Sequence, residues 1–255
     1  MLTDTHTHLY AADFKEDIDS VIINAISKGI SRFFLPNIDL DSISDMNVLC
    51  AKYPKNLFPL MGLHPCYVTT TYKNDLKIIE KELGTGNYYA IGEIGIDLYW
   101  DKSLKNEQID AFRIQIEWAK KLQLPIVIHV RDAFNEVFEV IDQLNDDQLT
   151  GIFHCFTGSI EQAQKIIAYN GFKIGIGGVV TFKNSGLDKV VEQIDIKHLV
   201  LETDAPYLAP TPYRGKRNES AYLSLIAEKI ASIYQISSKQ VAEITTQNSR
   251  EIYGI

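Results

Sequence analysis

Six histidine and carboxylate side chains lie at or near the ends of short apolar segments in this sequence of 255 residues. Imidazole nitrogens and carboxylate oxygens bind divalent Zn, Mn, Fe, Ni or Mg in varying degree, so metal-assisted hydrolysis is the chemistry open to them. One ion usually needs fewer ligands, and the set therefore predicts two divalent metal ions. Its members are His6, His8, Glu93, His129, His154 and Asp204.

Each of these residues alone has an ordinary explanation. A histidine in a strand is most often a core or surface residue, and Asp204 could cap a helix. Glu93 is harder to explain, because it lies inside the apolar run IGEIG, where an unpaired buried carboxylate is costly. It is the expected bridge between the two ions, and its segment AIGEIGID has no lysine that could serve as a carboxylated bridge instead.

The apolar segments that carry these residues have the composition of β-strands. Several are nearly continuous apolar runs, which is typical of parallel strands buried on both faces. We predict eight strands, at residues 2–6, 33–36, 57–63, 88–95, 126–130, 151–156, 172–178 and 198–203.

Segments with helical periodicity lie between the predicted strands. We predict helices at about 18–26, 74–83, 109–122, 132–144, 160–170, 186–195, 219–234 and 238–253. This alternation predicts an α/β protein with a single domain over residues 1–255, a (β/α)8 TIM barrel. The metal site is expected at the mouth, the end of the barrel where the strands terminate. An open doubly wound sheet is the alternative, but no G-x-G-x-x-G motif follows a predicted strand.

A basic segment follows the last predicted strand. The run YRGKRNE at 213–219 contains Arg214, Lys216 and Arg217, which could hold a phosphate or carboxylate or could form a solvated loop. Arg131, two residues after His129, could join them. This position at the mouth favours an anionic substrate.

Further residues near the strand ends have two interpretations each. His64, in GLHP, is a candidate for substrate contact, whereas His198 begins its strand and is expected on the opposite rim. Tyr99 and Trp100 could stack a base at the edge of the site or could simply pack under a loop.

The composition limits the class of protein. A net charge of −8 is poorly suited to wrapping duplex DNA, although a local basic pocket could still take one strand end. The sequence shows no secretory signal and no apolar run of about 18 residues. With three cysteines and no C-x-x-C spacing, we expect a cytoplasmic protein with reduced thiols and no obligate protein partner.

Motifs across nearly the whole chain resemble the TatD family of metal-dependent deoxyribonucleases, within the amidohydrolase-like barrels. The matching segments are DTHTH (4–8), GLHP (62–65), AIGEIGID (90–97), LPIVIHVRDA (124–133), HCFTGS (154–159), LETDAPYLAP (201–210), RGKRNE (214–219) and NSREIYG (248–254). The sequence departs from the family pattern at Ser220, where proline is general, and at Tyr253, where phenylalanine is usual.

The resemblance implies a division of the ligands. His6, His8 and Asp204 would hold one ion, His129 and His154 the second, and Glu93 would be shared. It also implies a nuclease assisted by Mg or Mn that acts on DNA, with 3′ to 5′ exonuclease action on single-stranded ends.

The expected reaction is attack of a metal-bound water on a phosphodiester. Asp204 would be both ligand and general base, a double role that needs a raised proton affinity, with Glu93 as bridge. Arg214 or Arg131 would stabilise the non-bridging oxygens. Two alternatives stay open: a metal-dependent hydrolase of another substrate, such as a lactone, an amide or a small phosphoester, and a non-catalytic barrel that binds a partner.

Overall fold

Eight parallel strands form the centre of the protein in the computed structural model, which describes residues 1–255. Adjacent strands pair in the order β1-β2-β3 and β4-β5-β6-β7-β8. The amide of Met61 donates to Ala90 and joins β3 to β4, and the amide of Thr5 donates to Leu201 and joins β8 to β1. The predicted (β/α)8 barrel is confirmed. Its strands are Leu2–Asp4 (β1), Ile30–Pro36 (β2), Leu57–Leu60 (β3), Ile91–Asp97 (β4), Ile126–Arg131 (β5), Gly151–Phe153 (β6), Phe172–Ile176 (β7) and Leu199–Leu201 (β8).

Nine helices pack around the sides and over one end of this barrel. None of them has the length and hydropathy of a membrane-spanning helix. They are Ile18–Ser27 (α1), Ser42–Lys52 (α2), Tyr72–Leu83 (α3), Lys105–Leu122 (α4), Phe134–Leu144 (α5), Ile160–Ala168 (α6), Leu187–Val191 (α7), Leu223–Tyr234 (α8) and Ser238–Tyr253 (α9). The helix α2 was not predicted from the sequence, because it buries only Met46, Leu49 and Cys50 and its apolar stripe is therefore weak. The helix predicted at 186–195 is wrong in length, because α7 ends at Val191.

Several strands end earlier than predicted. β1 ends at Asp4, β6 at Phe153 and β8 at Leu201, so the expected ligands of these segments lie just beyond the regular ladder. The backbone there leaves the extended region: φ is +47° at Cys155 and +56° at Asp204, values that no strand residue adopts. These bends turn the segments across the mouth.

The opposite end of the barrel is covered by α9, which contacts β1 and β8. The Tyr253 hydroxyl donates to the carbonyl of Thr5, and the Thr246 hydroxyl donates to that of Met1. His198 immediately precedes β8, at the end of the barrel opposite the mouth, as expected.

Candidate metal centre

Glu93 lies at the middle of a buried cluster of histidines. It is on β4 and is only 2% exposed. Its Oε2 atom lies 3.1 Å from His6 Nε2 and 3.6 Å from His8 Nε2. Its Oε1 atom faces the other way, 2.7 Å from His154 Nε2 and 2.9 Å from His129 Nδ1. The two oxygens of one carboxylate therefore divide the imidazoles into two groups.

Asp204 completes the first group. Its Oδ1 atom lies 3.5 Å from His8 Nε2 and 3.8 Å from His6 Nε2. The two Nε2 atoms are themselves 3.2 Å apart, and the ring of His6 stacks on that of His154 at a centroid distance of 3.8 Å. The structure thus brings all six predicted ligands together.

Glycine is required where the backbones of β4 and β5 approach each other. Gly95 has a φ of +142°, and a Cβ atom there would lie 2.0 Å from the carbonyl oxygen of His129. Any other residue at this position would push β5 away from β4 and separate His129 from Glu93. The glycines of AIGEIGID therefore set the spacing of the two ligands as well as the path of the strand.

Hydrogen bonds on the outer side of two rings, those of His8 and His129, fix which nitrogen faces the centre. Tyr10 donates its hydroxyl proton to Pro36, so its oxygen accepts from His8 Nδ1 at 3.1 Å and leaves a lone pair on Nε2. Asp97 Oδ2 accepts from His129 Nε2 at 2.9 Å, which leaves the lone pair on Nδ1. Both rings are held in the tautomer that a metal ligand needs.

The outer side of His154 lies beside the carboxylate of Glu202. The Nδ1 atom of His154 lies 3.5 Å from Glu202 Oε1, and the same carboxylate accepts the amide of Cys155. Glu202 is fully buried, and a Cβ atom at Gly175 would come within 2.2 Å of its Oε2 atom. The glycine in β7 therefore leaves the space that this carboxylate occupies.

His64 differs from the other histidines of the cluster. Its Nε2 atom is 3.3 Å from Glu93 Oε1, but its Nδ1 atom accepts the amide of Cys66 at 3.1 Å. In the neutral ring the proton is therefore on Nε2, which faces the centre. This tautomer donates a hydrogen bond and offers no lone pair to a cation, which supports the expected substrate contact.

Burial and mutual charge shift the pKa values of the cluster. Burial lowers the pKa values of His6 and His64, which keeps both rings neutral. Burial alone would raise the pKa of Glu93, but the imidazoles around it, that of His154 above all, bring it well below its ordinary value. Burial likewise would lower the pKa of His154, but Glu93 and Glu202 raise it well above 6.5.

The contacts within the cluster lower the pKa of Asp204 and do not raise it. Burial alone would raise the pKa of this carboxyl, but a hydrogen bond from His8 and the charge of His154 lower it below 3.8. Asp204 is therefore ionised at neutral pH. This favours its role as a ligand over that of a strong base.

The expected substrate-binding arginines are in different environments. The Arg131 guanidinium lies over the ring of Tyr99, 3.7 Å from the centroid, and that of Arg214 lies 4.5 Å from the centroid of Phe182. The prediction that Arg217 could hold an anion is wrong. Its guanidinium already pairs with the carboxylate of Asp17 at 2.7 Å and also donates to the carbonyl of Asp13. It connects the loop after β8 to the start of α1.

The sequence did not reveal two carboxylates that lie behind histidines of the cluster, Asp97 behind His129 and Glu202 behind His154. Asp97 ends AIGEIGID and Glu202 immediately precedes Thr203-Asp204, so both stand at strand ends of the kind that identified Glu93 and Asp204.

The cluster contains three sets of donor atoms close enough to hold an ion. They are His6 with His8 and Glu93, His6 with His154 and Asp204, and His64 with Glu93 and His129.

Comparisons with known proteins identify the family to which the chain belongs. The family model of TatD related DNase matches residues 3–254. An uncharacterised metal-dependent hydrolase of Bacillus subtilis, YabD, is 38% identical over the full length of both chains. The 3′-5′ ssDNA/RNA exonuclease TatD of Yersinia pseudotuberculosis is 29% identical over 99% of each chain.

A solved structure shows the same fold. The TatD homologue YJJV of Escherichia coli K12 superposes with a TM-score of 0.93 at 24% identity, over 100% of this chain and 98% of that one. The chain therefore belongs to the TatD family of metal-dependent hydrolases.

Proposed function

We propose that this hydrolase cleaves phosphodiester bonds of single-stranded DNA from the 3′ end, with two divalent metal ions, Mg or Mn by preference. The observation that carries the proposal is the position of Glu93, whose two oxygens face two separate groups of imidazoles. A nucleic acid substrate is supported by the exonuclease name of the Yersinia relative and by unpaired cationic side chains at the mouth.

The residues present fit such ions. In the tautomers set by their outer hydrogen bonds, neutral His8 and His129 turn a lone pair toward two carboxylates in a buried space, a donor set that suits a divalent cation. His6, His8 and Asp204 would hold one ion and His129 and His154 the other, with Glu93 shared. The ions, when bound, would lower the pKa of a water and neutralise charge that develops at phosphorus.

The remaining steps belong to side chains of the protein. His64 would donate from Nε2 to a non-bridging oxygen of the phosphate, because its tautomer is fixed by the Cys66 amide. Asp204 would accept the proton of the attacking water as the bond to phosphorus forms and the bond from phosphorus to the leaving ester oxygen breaks. Its lowered pKa would let it release that proton to the leaving oxygen. Arg131 or Arg214 would stabilise the negative charge on the phosphate oxygens.

The test is cleavage of an end-labelled single-stranded DNA oligonucleotide with Mg²⁺ or Mn²⁺, and with a chelator. We expect a ladder that shortens from the 3′ end and disappears with the chelator and in Glu93→Gln. Glu80→Gln is the matched control, since Glu80 is an exposed glutamate of α3 and is not part of the histidine cluster. A protein that binds two ions but leaves DNA and RNA of the same sequence intact would refute the nuclease assignment.

A further inference from the structure

An exposed cluster of two aromatic rings and one guanidinium lies beside the metal centre. Tyr99 is 52% exposed and Trp100 71% exposed, although such large rings usually pack into the protein. Their centroids are 4.9 Å apart with an interplanar angle of 88°. The Arg131 guanidinium lies 3.7 Å from the centroid of Tyr99 and 5.2 Å from that of Trp100. We call these three residues the aromatic platform.

A cavity opens next to the aromatic platform. Its volume is about 580 Å³, which lies within the range of sites for small organic ligands. Tyr99 and Arg131 form one side, and Thr157, Gly158 and Ser159, from the loop after β6, form another. The cavity thus lies at the mouth, between loops that follow strands bearing the candidate ligands His129 and His154.

Asp97 fixes the distance between the aromatic platform and the metal centre. Its Oδ1 atom accepts the amide of Tyr99 at 3.0 Å, while its Oδ2 atom accepts from His129 Nε2 at 2.9 Å. In the pairing of β4 with β5, Asp97 stands opposite Arg131. One carboxylate therefore orients both the inner ligand and the outer rings.

We propose that the aromatic platform and its cavity bind the nucleotide that adjoins the scissile phosphate, with the base on the rings and a phosphate oxygen on Arg131. This inference rests on the proposed nuclease function. Arg131 forms no ion pair, and a guanidinium stacked on a ring keeps its N–H edge free for an anion. A small lactone or amide would offer neither a flat base to the rings nor a phosphate to Arg131.

The geometry also specifies the state of the substrate. A base can stack on a protein ring only with a free face, which a base within a duplex does not have. The aromatic platform therefore selects an unpaired nucleotide, and selects it through the π-face that every base has. We expect little preference among the four bases.

The first test compares KM for two oligonucleotides, one normal and one with abasic residues in its last three positions. Base stacking typically contributes enough that Trp100→Ala should raise KM about tenfold on the normal strand. The change should be less than about twofold on the abasic strand, and Trp100→Phe should restore most of the loss. Ile78→Ala is the matched control, since Ile78 is an exposed apolar side chain of α3.

The second test measures binding without turnover. Trp118→Phe leaves Trp100 as the single tryptophan, and its fluorescence should be quenched to saturation by a phosphorothioate oligonucleotide of thymidines. Saturable quenching with no cleavage of any nucleic acid would support the aromatic platform and overturn the proposed nuclease function. DNA cleavage with unchanged KM in Trp100→Ala on both strands would overturn the aromatic platform alone.

Discussion

Replacement of Asp97 by asparagine should disrupt one half of the metal centre without touching a ligand. Asp97 offers two acceptor oxygens, one to the amides of Tyr99 and Trp100 and one to His129 Nε2. Asparagine has a single acceptor oxygen. If that oxygen keeps the two amides, its NH2 group faces His129, and the neutral ring must carry its proton on Nδ1, toward the centre.

The size of the effect follows from the interaction of Asp97 with His129. Burial alone would raise the pKa of Asp97, but the hydrogen bond from His129, together with those from the amides of Tyr99 and Trp100, lowers it to about 2. Against an ordinary pKa of 3.8, this corresponds to about 2.5 kcal/mol in favour of the carboxylate. Loss of such outer partners typically weakens metal binding about 10- to 100-fold, a range that includes this free energy.

Calorimetric titration of the chelator-treated protein with Mn²⁺ measures the prediction directly. In Asp97→Asn, one of two Mn²⁺ ions should bind about 10- to 100-fold more weakly, while the affinity for the other changes less than about twofold. Asp101→Asn is the control, because Asp101 is in the same loop and bonds only to Ser103. Two unchanged affinities in Asp97→Asn would refute the tautomer argument.

Three further substitutions separate stability from substrate binding. Burial raises the pKa of Asp4 from 3.8 to about 7, so ionisation opposes folding, and the free energy of unfolding should fall from about pH 4 to pH 7. Asp4→Asn should remove this slope, which amounts to about 4 kcal/mol between pH 4 and pH 8, in urea unfolding with chelator; parallel pH profiles would contradict it. Arg217→Ala should lose about 1 kcal/mol of stability, because its pair with Asp17 is half-exposed, and leave KM for DNA unchanged. Arg214→Ala should raise KM at normal stability and metal content, and a loss of bound metal would exclude the substrate role.

Repetition of one pattern made the fold and the centre of the site predictable. Parallel strands end at one side of a barrel, so ligand-type residues at five strand ends must converge, whatever the exact strand lengths. The same reasoning did not separate ligands from orienting groups. Glu93 and Asp97 are both carboxylates of β4, and only the nitrogen that each one faces distinguishes their roles.

Other features depend on contacts that no local pattern encodes. Arg217 lies in a basic run, but its partner Asp17 is 200 positions away in the sequence, and this pairing removes it from the mouth. The helix α2 escaped prediction because polar Ser, Asp and Asn residues interrupt its short apolar stripe. Tertiary packing against the barrel, and not its own periodicity, stabilises it.

The anchoring of the first two histidines bears on the order of synthesis and metal loading. Thr5 bonds to Leu201, 196 positions later, and accepts from Tyr253, 248 positions later, while the amide of His8 donates to Ala205. On the ribosome, His6 and His8 therefore emerge long before most of the groups that hold them. The complete cluster can form only after α9 has been made, so an ion that needs all six candidate ligands would bind the folded barrel and not the nascent chain.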